Sequence, residues 1–511
     1  MGKSRLDNSM INSFIGVGTQ ILNMLLGFVL QAVFIRTLGA TYLGLRGLYS
    51  NILQVLSFTE LGIGTAVTFS LYKPLSSGNE QKIIQIMNFF RTAYTTIGII
   101  IGVIGSLFIP LIPLLTHSNV KGVYLYYILF LANTVVSYFL TYKRTILNAD
   151  QLNYINLNNE LLFKILQTVI QIIILIVFKS FLGFCVIQIV CTVVSNIVIS
   201  NKVNKLYPYL KGKNLFKHKL PSNDLKEILH NTLGTLGSKL GDIAVNGTNS
   251  VLITYFCSLY LSGVFSNYNV IINSLVIVIG QAFYSITSSV GNLIVEIEDK
   301  KYQYDIFEKI FFISFLCTFI CSVGYISVIN PFISLWVGSK YQLSFIIAFM
   351  LGINLILNSF RKAFSTFIAA YGLYVKDGKR AIVEAIVNIV SSLIYLIVFN
   401  MGIAGVVLGN ITSNILVNWY EPYIIFKYGM HQNEKLLTVF TNFVIYMTTC
   451  IAFMFAMYKI VSIFNINILL VNILVKGLVA VTLSLIGFYL LFKNNEYFKY
   501  TLVILKKYLA K

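Results

Sequence analysis

The stretch INLNNELLFKILQTVIQIIILIVF, residues Ile155–Phe178, decides the fold class of this protein. It is apolar over a length that matches a lipid bilayer, because a hydrocarbon core of about 30 Å is crossed by about 20 helical residues. Glu160 and Lys164 are the only charged residues within it. We therefore interpret this stretch as a transmembrane helix whose few polar side chains must find partners inside the membrane.

Apolar runs of similar length recur along the whole chain, and we count fourteen of them. Hydrophobic residues make up 57% of the sequence and charged residues only 11%, which excludes a soluble globular protein. The fourteen runs are Met10–Ile35, Leu43–Tyr72, Ile84–Phe108, Val123–Tyr142, Ile155–Phe178, Phe181–Ser200, Ile228–Phe256, Leu261–Thr287, Ile306–Ile329, Gln342–Phe367, Ala381–Phe399, Ile403–Phe426, Leu437–Tyr458 and Leu469–Phe492. The sequence thus predicts an all-α polytopic membrane protein with about fourteen transmembrane helices.

The basic residues concentrate in every second gap between these runs, although the net charge of +20 taken alone suggests a nucleic-acid partner. The basic gaps contain Lys3 and Arg5, Lys73 and Lys82, Lys143 and Arg144, Lys202 to Lys226, Lys300 and Lys301, Lys376 to Arg380, Lys427 and Lys435, and Lys493 to Lys511. The positive-inside rule then predicts that both termini are cytoplasmic. No soluble domain offers the folded basic surface that nucleic-acid binding needs, so we expect no such partner.

No residue pattern indicates catalysis, a metal or a cofactor. The six cysteines lie in or at the ends of apolar runs, and the four histidines are scattered. The first apolar run is too long for the core of a signal peptide, so we expect no cleavable signal. The sequence therefore predicts a membrane protein that is not an enzyme and holds no metal ion or cofactor.

The two halves of the chain resemble each other at a spacing of 218 to 221 residues. The matches are Leu43–Leu56 with Ser262–Leu275, Lys143-Arg144 with Arg361-Lys362, Leu175–Phe178 with Leu396–Phe399, and Ser195-Asn196-Ile197 with Ser413-Asn414-Ile415. Repeats of six helices each have the same orientation in the membrane. We predict an amino-terminal lobe over residues 1–204, a basic cytoplasmic linker over 205–224, a second lobe over 225–430, and helices 13 and 14 with a basic tail over 431–511.

Polar residues recur at helical spacing inside several of the apolar runs. The fifth helix carries Asn153, Asn156, Glu160, Lys164, Gln167 and Gln171, and the seventh carries Asn231, Thr235, Lys239, Asp242, Asn246 and Asn249. Each set lies on one helical face. These stripes either hold the bundle together by hydrogen bonds between helices or line a hydrophilic cavity. We favour the cavity, because long stripes occur in both halves.

The charged residues of the stripes leave a second alternative open. Glu160 with Lys164, and Lys239 with Asp242, are spaced so that each couple can form an ion pair on its own helix. Such pairs would be neutral and would serve structure rather than binding. Our candidate substrate-binding residues are Arg36, Arg46, Glu60, Glu160, Lys164, Gln167, Lys239, Asp242, Asn246, Glu384, Asn388 and Asn414.

The segment Phe34–Leu75 reads FIRTLGATYLGLRGLYSNILQVLSFTELGIGTAVTFSLYKPL. It resembles the start of the oligosaccharide-lipid flippases of the polysaccharide transporter family, which include the Wzx-type flippases. These belong to the multidrug/oligosaccharidyl-lipid/polysaccharide (MOP) superfamily. The features that carry the resemblance are Arg36-Thr37-Leu38-Gly39, Gly44-Leu45-Arg46-Gly47, Glu60-Leu61-Gly62 and Lys73-Pro74-Leu75.

This resemblance implies two six-helix lobes around a central cavity that opens alternately to either face. The implied substrate is a polyprenyl diphosphate-linked oligosaccharide, moved from the cytoplasmic to the outer leaflet for capsule, exopolysaccharide or teichoic-acid synthesis. Arg36, Arg46, Lys164 and Lys239 match the basic residues that meet the diphosphate in the family. Helices 13 and 14 would hold the lipid tail in a groove, from whose apolar character Lys476 departs. Membrane lipids, a coupling proton or sodium ion, and a polymerase and glycosyltransferases are the implied partners.

Two other functions remain open from the sequence. A multidrug or small-cation antiporter of the same superfamily would use acidic cavity residues such as Glu60, Asp242 and Glu384. A membrane polysaccharide polymerase would need a sizeable extracellular loop, whereas outer gaps such as Asn330–Tyr341 are short. The richness in Ile, Asn, Lys and Tyr is typical of an AT-rich genome, and we expect a protein of a bacterial cell membrane.

Overall fold

The computed structural model describes residues 5–57, 63–117, 120–211, 221, 247–464 and 466–509. These residues form helices, joined by turns and short loops, and no strand occurs among them. The chain divides into two compact units, Met1–Gly263 and Val264–Lys511. The prediction of an all-α polytopic membrane protein is therefore confirmed.

Unit 1 consists of helices α1 to α9 and of helical residues 247–256. The nine helices are α1 (Arg5–Leu38), α2 (Ala40–Leu56), α3 (Ile63–Ser76), α4 (Glu80–Leu107), α5 (Ile112–Thr116), α6 (Val123–Tyr138), α7 (Arg144–Ala149), α8 (Asn153–Val177) and α9 (Phe181–Leu206). Helix α8 packs against α1 on one side and α9 on the other. Helix α6 contacts α4 and α9, which completes the packing of this unit.

Unit 2 begins within α10 and contains the rest of the chain. Its helices are α10 (Leu259–Glu296), α11 (Lys300–Trp336), α12 (Phe345–Ala370), α13 (Tyr374–Ile397), α14 (Ile403–Val417), α15 (Tyr420–Ile424), a π-helix (Ile425–Met430), α16 (Leu436–Ser462), α17 (Leu469–Phe492) and α18 (Glu496–Leu509). Helix α11 is central, because α12, α16, α17 and α18 all pack against it. Its Phe315 ring stacks on Tyr446 of α16 with centroids 4.2 Å apart. Helices α16 and α17, which are the predicted transmembrane helices 13 and 14, therefore belong to the aromatic core of this unit.

Eleven described helices are long and apolar enough to cross a membrane, and each corresponds to one of the fourteen predicted runs. Three runs differ. Leu43–Tyr72 is divided between α2 and α3, and most of Ile228–Phe256 lies outside the described residues. The run Ile403–Phe426 is interrupted after Val417, where Asn418 turns its side chain into a polar cluster of unit 2.

The predicted gap at Lys143 and Arg144 is helical in the structure, and its position relative to the membrane stays a prediction. The fourth span extends from Val123 to Ala149 and includes both residues. Lys143 is buried, and its Nζ donates to Ser200 Oγ and to Asn204 Oδ1, both at 2.8 Å. A lysine is tolerated within a bundle when oxygen atoms of a neighbouring helix replace its water shell. The charge pattern alone contained no information about these partners.

Candidate functional site

Unit 1 contains an open cavity of about 540 Å³ between α8 and α9. Its lining is unusually polar for the interior of a membrane protein. The lining residues are Asn23, Arg144, Glu160, Phe163, Lys164, Gln167, Cys191, Thr192, Ser195 and Asn196. The helical period of α8 places Glu160, Lys164 and Gln167 on one face, as the sequence predicts, and this face lines the cavity.

Arg144 at the start of α7 organises one wall of the cavity. Its Nη1 donates to Glu160 Oε1 at 3.0 Å, and its Nη2 donates to Ser195 Oγ at 3.0 Å and to Asn196 Oδ1 at 3.2 Å. Asn159 of α8 also donates to Ser195 Oγ, at 2.8 Å. The guanidinium therefore links α7, α8 and α9, and its charge is shared with one carboxylate.

Lys164 is half-buried in the cavity wall. The expected ion pair between Glu160 and Lys164 is not formed, because Glu160 is engaged by Arg144 instead. Within the described part of the chain, no ion pair and no hydrogen bond holds the Lys164 ammonium. Its charge interacts with that of Arg46 on α2, which is repulsive. Lys164 is thus a cation in a low-dielectric region without a counter-charge among the described residues.

Among the described residues, aromatic rings and not carboxylates contact the Arg46 guanidinium. Its guanidinium carbon lies 5.6 Å from the centroid of Phe34 and 5.5 Å from that of Phe184. Cation–π contacts of this kind position a guanidinium and leave its N–H groups for other acceptors. Arg36, in the last turn of α1, is exposed and does not line the cavity.

The lining residues give the cavity a positive balance. Arg144 and Lys164 are cationic, and Glu160 is the one acid among the described residues that line it. Amide and hydroxyl side chains from Asn23, Gln167 and Thr192 supply neutral donors and acceptors. The arrangement suits a ligand with a negative group beside a hydroxyl-rich part.

Unit 2 has a buried ionic cluster in the corresponding region. Arg361 of α12 donates from Nε to Glu421 Oε1 at 3.0 Å and from Nη1 to Glu384 Oε1 at 3.2 Å. Arg380 of α13 donates from Nη1 to Glu384 Oε2 at 2.5 Å and from Nε to Asp377 Oδ1 at 2.6 Å. The five charged side chains thus connect α12, α13 and α15.

The remaining polar residues of α13 and α14 extend this cluster. Asn418 donates to Glu384 Oε1 at 3.1 Å and to Asn414 Oδ1 at 2.6 Å. One turn further along, Asn388 donates to Asn410 Oδ1 at 2.6 Å. Glu384, Asn388 and Asn414 are therefore partly or fully engaged by protein groups, and they are less available to a ligand than Lys164.

The predicted residues are divided among several places. Glu160, Lys164 and Gln167 share the cavity of unit 1, Glu384, Asn388 and Asn414 belong to the cluster of unit 2, and Arg46 and Arg36 lie apart from both. Glu60, Lys239, Asp242 and Asn246 lie outside the described residues. Whether any of these residues binds substrate stays a prediction.

Sequence reasoning missed Arg144, Arg361, Arg380 and Glu421 as site residues. The available signal was the pair Lys143-Arg144 and its counterpart Arg361-Lys362, 218 residues later. One cation of each pair bonds to a later helix of its own unit. Lys143 bonds to Ser200 and Asn204 of α9, and Arg361 bonds to Glu421 of α15. The recurrence of basic residues at equivalent positions was the sequence signal for these site residues.

Solved structures of MOP superfamily transporters have a similar fold. An inward-facing multidrug resistance MATE family transporter has a TM-score of 0.62 and 16% identity, covering 82% of this chain and 99% of its own. Lipid II flippase MurJ, in an inward closed conformation, has a TM-score of 0.62 and 15% identity, covering 94% of this chain and 99% of its own. A mutant of the Vibrio cholerae MATE transporter VcmN has a TM-score of 0.55 and 13% identity, covering 83% and 99%.

No family model and no curated protein matches the chain. At 13 to 16% identity the structural likeness shows the fold alone. The chain is a multi-pass membrane protein with the fold of MOP superfamily transporters. Membership of the oligosaccharide-lipid flippase family stays a prediction.

Proposed function

We propose that this protein is a flippase that moves a polyprenyl diphosphate-linked oligosaccharide from the cytoplasmic to the outer leaflet of a bacterial cell membrane. The observation that carries the proposal is the cavity of unit 1, where Lys164 has no counter-charge among the described residues. A cation held in this way inside a membrane is costly unless a ligand or water compensates it. A diphosphate compensates it with charge-assisted hydrogen bonds.

The cavity also has groups for the sugar part of such a substrate. Asn23, Gln167, Thr192 and Asn196 line it with amides and hydroxyls, which exchange hydrogen bonds with sugar hydroxyls. A purely apolar cargo would gain nothing from these groups and would leave them unsatisfied. The composition of the lining therefore favours an anionic, hydroxyl-rich substrate.

The multidrug or small-cation antiporter is the second candidate, and the same cavity argues against it. A cationic cargo requires an acidic residue that is free to meet it. Among the described lining residues Glu160 is the acid, and it is paired with Arg144 at 3.0 Å. Lys164 adds repulsion. A polysaccharide polymerase is disfavoured because the gap between α11 and α12 comprises only residues 337–344.

The transport cycle that we propose is alternating access by the two six-helix lobes, residues 1–204 and 225–430, joined by the linker 205–224. Helices α16 and α17 would accommodate the polyprenyl tail. Membrane lipids surround the bundle, a proton or sodium ion drives the cycle, and a polymerase and glycosyltransferases act before and after it. Both termini are cytoplasmic in this proposal.

A deletion strain tests the proposed substrate class. Loss of the protein should abolish a surface polysaccharide and cause its lipid-linked precursor to accumulate in the inner leaflet. Complementation with the wild-type chain should reverse both effects, whereas Lys164→Gln should restore neither in full. Normal surface polysaccharide and no accumulated precursor in the deletion strain would contradict the proposal.

A matched control separates the cavity from general charge effects. Lys205 in the last turn of α9 is exposed and does not line the cavity. Lys205→Gln removes the same charge as Lys164→Gln and should complement like wild type. Equal defects in the two variants, at equal membrane levels, would indicate that the lysine of the cavity has no special role.

A further inference from the structure

The ionic cluster of unit 2 has an unequal number of charges. Arg361 and Arg380 contribute two positive charges, while Asp377, Glu384 and Glu421 contribute three negative ones when all are ionised. The cluster of described residues thus has a formal charge of −1. Both glutamates are almost fully buried, at 3% and 1% exposure. An excess charge on carboxylates buried this deeply is disfavoured unless another group or a proton compensates it.

The geometry of Glu421 identifies where the compensating charge belongs. Its Oε1 receives Arg361 Nε and Nη2, each at 3.0 Å, and lies 3.3 Å from Arg380 Nη2. Its Oε2 is buried and has no hydrogen-bond partner among the residues that the structure describes. One oxygen of this carboxylate is therefore saturated by N–H groups and the other is bare.

The charged groups that face Glu421 come from two neighbouring helices. Helix α12 contributes Arg361, and α13 contributes Asp377, Arg380 and Glu384. Helix α16 presents the rings of Phe440 and Phe443 to Trp419, which lies two residues before Glu421. His431 follows the π-helix that continues from α15 and is the nearest histidine in sequence.

A small cavity reaches this cluster. It has a volume of about 40 Å³ and is lined by Arg361, Asn418, Trp419 and neighbouring apolar residues. Since one water occupies roughly 10 to 15 Å³ on this measure, the cavity has room for water beside Arg361. Water at this point would lie beside Arg361, which donates to Glu421.

We propose that Glu421 is a reversible proton-binding site, in which one proton adds to Oε2 and neutralises the cluster. The proton comes from water in the small cavity and returns to it, so no other reactant is needed. If the proposed transport function holds, this site supplies proton coupling in unit 2, apart from the cavity that binds substrate in unit 1.

The chain offers a reporter for this event. It contains two tryptophans, and Trp419 lines the small cavity together with Arg361. In a Trp336→Phe background the emission of the purified protein reports on Trp419 alone. We expect a reversible change in this emission with pH, with the shape of a single titrating group. An emission that does not change with pH would overturn the proposal.

Substitution of Glu421 assigns the change. Glu421→Gln makes the cluster neutral at every pH, so its emission should be independent of pH and should equal that of the parent at low pH. Glu434→Gln removes an exposed glutamate of the same unit and should leave the titration unchanged. A titration in Glu421→Gln like that of the parent would assign the change to another group, such as His431, and would contradict the proposal.

Two further measurements keep the test decisive. If Glu421→Gln does not fold, as judged by gel filtration, Glu384→Gln removes a negative charge from the same cluster and should also abolish the titration. Addition of sodium ions at constant pH should not change the emission, and a saturable sodium response would favour a metal cation over a proton. Fluorescence requires no substrate, so its failure would leave the function proposed for unit 1 untouched.

Discussion

Lys164 and Arg144 enter the same cavity of unit 1, but their surroundings differ. Arg144 makes three hydrogen bonds across α8 and α9, whereas Lys164 has no bonded partner among the described residues. Glu160 is 53% exposed, so its ion pair with Arg144 is worth at most about 1 kcal/mol. We therefore assign binding chiefly to Lys164 and positioning of the cavity wall chiefly to Arg144.

Substitution of these two cations should separate the roles. Lys164→Gln should weaken diphosphate binding by roughly tenfold or more, since a charge-assisted hydrogen bond contributes about 1.5 to 3 kcal/mol. The same substitution should leave the melting temperature in detergent unchanged. Arg144→Gln should lower the melting temperature, because Glu160 and Asn196 lose a donor and Ser195 keeps only Asn159. The measurements are thermal unfolding and binding of inorganic diphosphate. A Lys164→Gln variant that melts early but binds normally would reverse the assignment.

Arg46 gives a separate prediction because its contacts are aromatic. Arg46→Gln should destabilise unit 1 by about 0.5 to 2 kcal/mol through loss of its contacts with Phe34 and Phe184. Phe184→Leu should remove one of these contacts, and the double variant should be less unstable than the two effects added. Strict additivity in thermal unfolding would show that the guanidinium and the ring do not interact. If Arg46 also meets substrate, Arg46→Gln will slow transport more than Phe184→Leu does.

The sequence predicted the members of the α8 stripe but not their partners. A period of three to four residues is enough to place Glu160, Lys164 and Gln167 on one face. The choice between Lys164 and Arg144 as the partner of Glu160 depends on how α7 packs against α8, and no local pattern contains that information. The same limit concealed Arg361 and Glu421, which lie 60 residues apart in the chain.

At the scale of helices, hydropathy located most of the elements, and polar side chains explain the exceptions. The run Ile403–Phe426 was predicted as one helix, yet α14 ends at Val417. Asn418 bonds to Glu384 at 3.1 Å and so is bound to another helix at the point where α14 ends. Pro422 is the local signal for this break, because it lacks the N–H that a continuous helix would use to bond to the Asn418 carbonyl.

The pair α13 and α14 depends on a close approach at one glycine. A Cβ on Gly409 would lie 1.9 Å from Ser392 Oγ and 2.9 Å from Ser392 Cα. Gly409→Val should therefore force the helices apart and cost about 1 to 3 kcal/mol, measured as a lower melting temperature. Gly324→Ala on α11 is the matched control, since no atom lies within 4 Å of its added Cβ, and it should be neutral or stabilising. Equal melting temperatures for Gly409→Val and wild type would contradict this packing.

At the scale of the whole molecule, the charge pattern makes a prediction that the fold leaves untested. If both termini are cytoplasmic, single cysteines near Lys211 and Lys301 should resist a membrane-impermeant thiol reagent added outside whole cells. A cysteine at Ser339 should react. The six native cysteines are free thiols and must first be replaced. External labelling near Lys211 would contradict both the orientation and the parallel arrangement of the two halves.

The likeness to MOP superfamily transporters was expected from the repeated halves and from the Phe34–Leu75 segment, and the fold agrees. The cargo is a different matter, because transporters of one fold carry unlike substrates. For this chain the choice between an anionic and a cationic substrate rests on the sign of the charge that lines the cavity in unit 1. The polar lining and the uncompensated lysine were visible in the sequence only as a stripe, and the paired state of Glu160 required the structure.

Translocation by the purified protein is the strictest test of the proposed flippase activity. Proteoliposomes would contain the wild-type chain and a fluorescent polyprenyl diphosphate-linked oligosaccharide, and an impermeant quencher would report the fraction exposed outside. We predict that wild type and Lys205→Gln rapidly expose the lipid-linked oligosaccharide of the inner leaflet to the quencher. In Lys164→Gln the rate of this exposure should be lower by roughly tenfold or more. Exposure by wild type no faster than in protein-free liposomes would contradict the proposed flippase activity. Equal rates for wild type and Lys164→Gln would contradict the role of Lys164 in it.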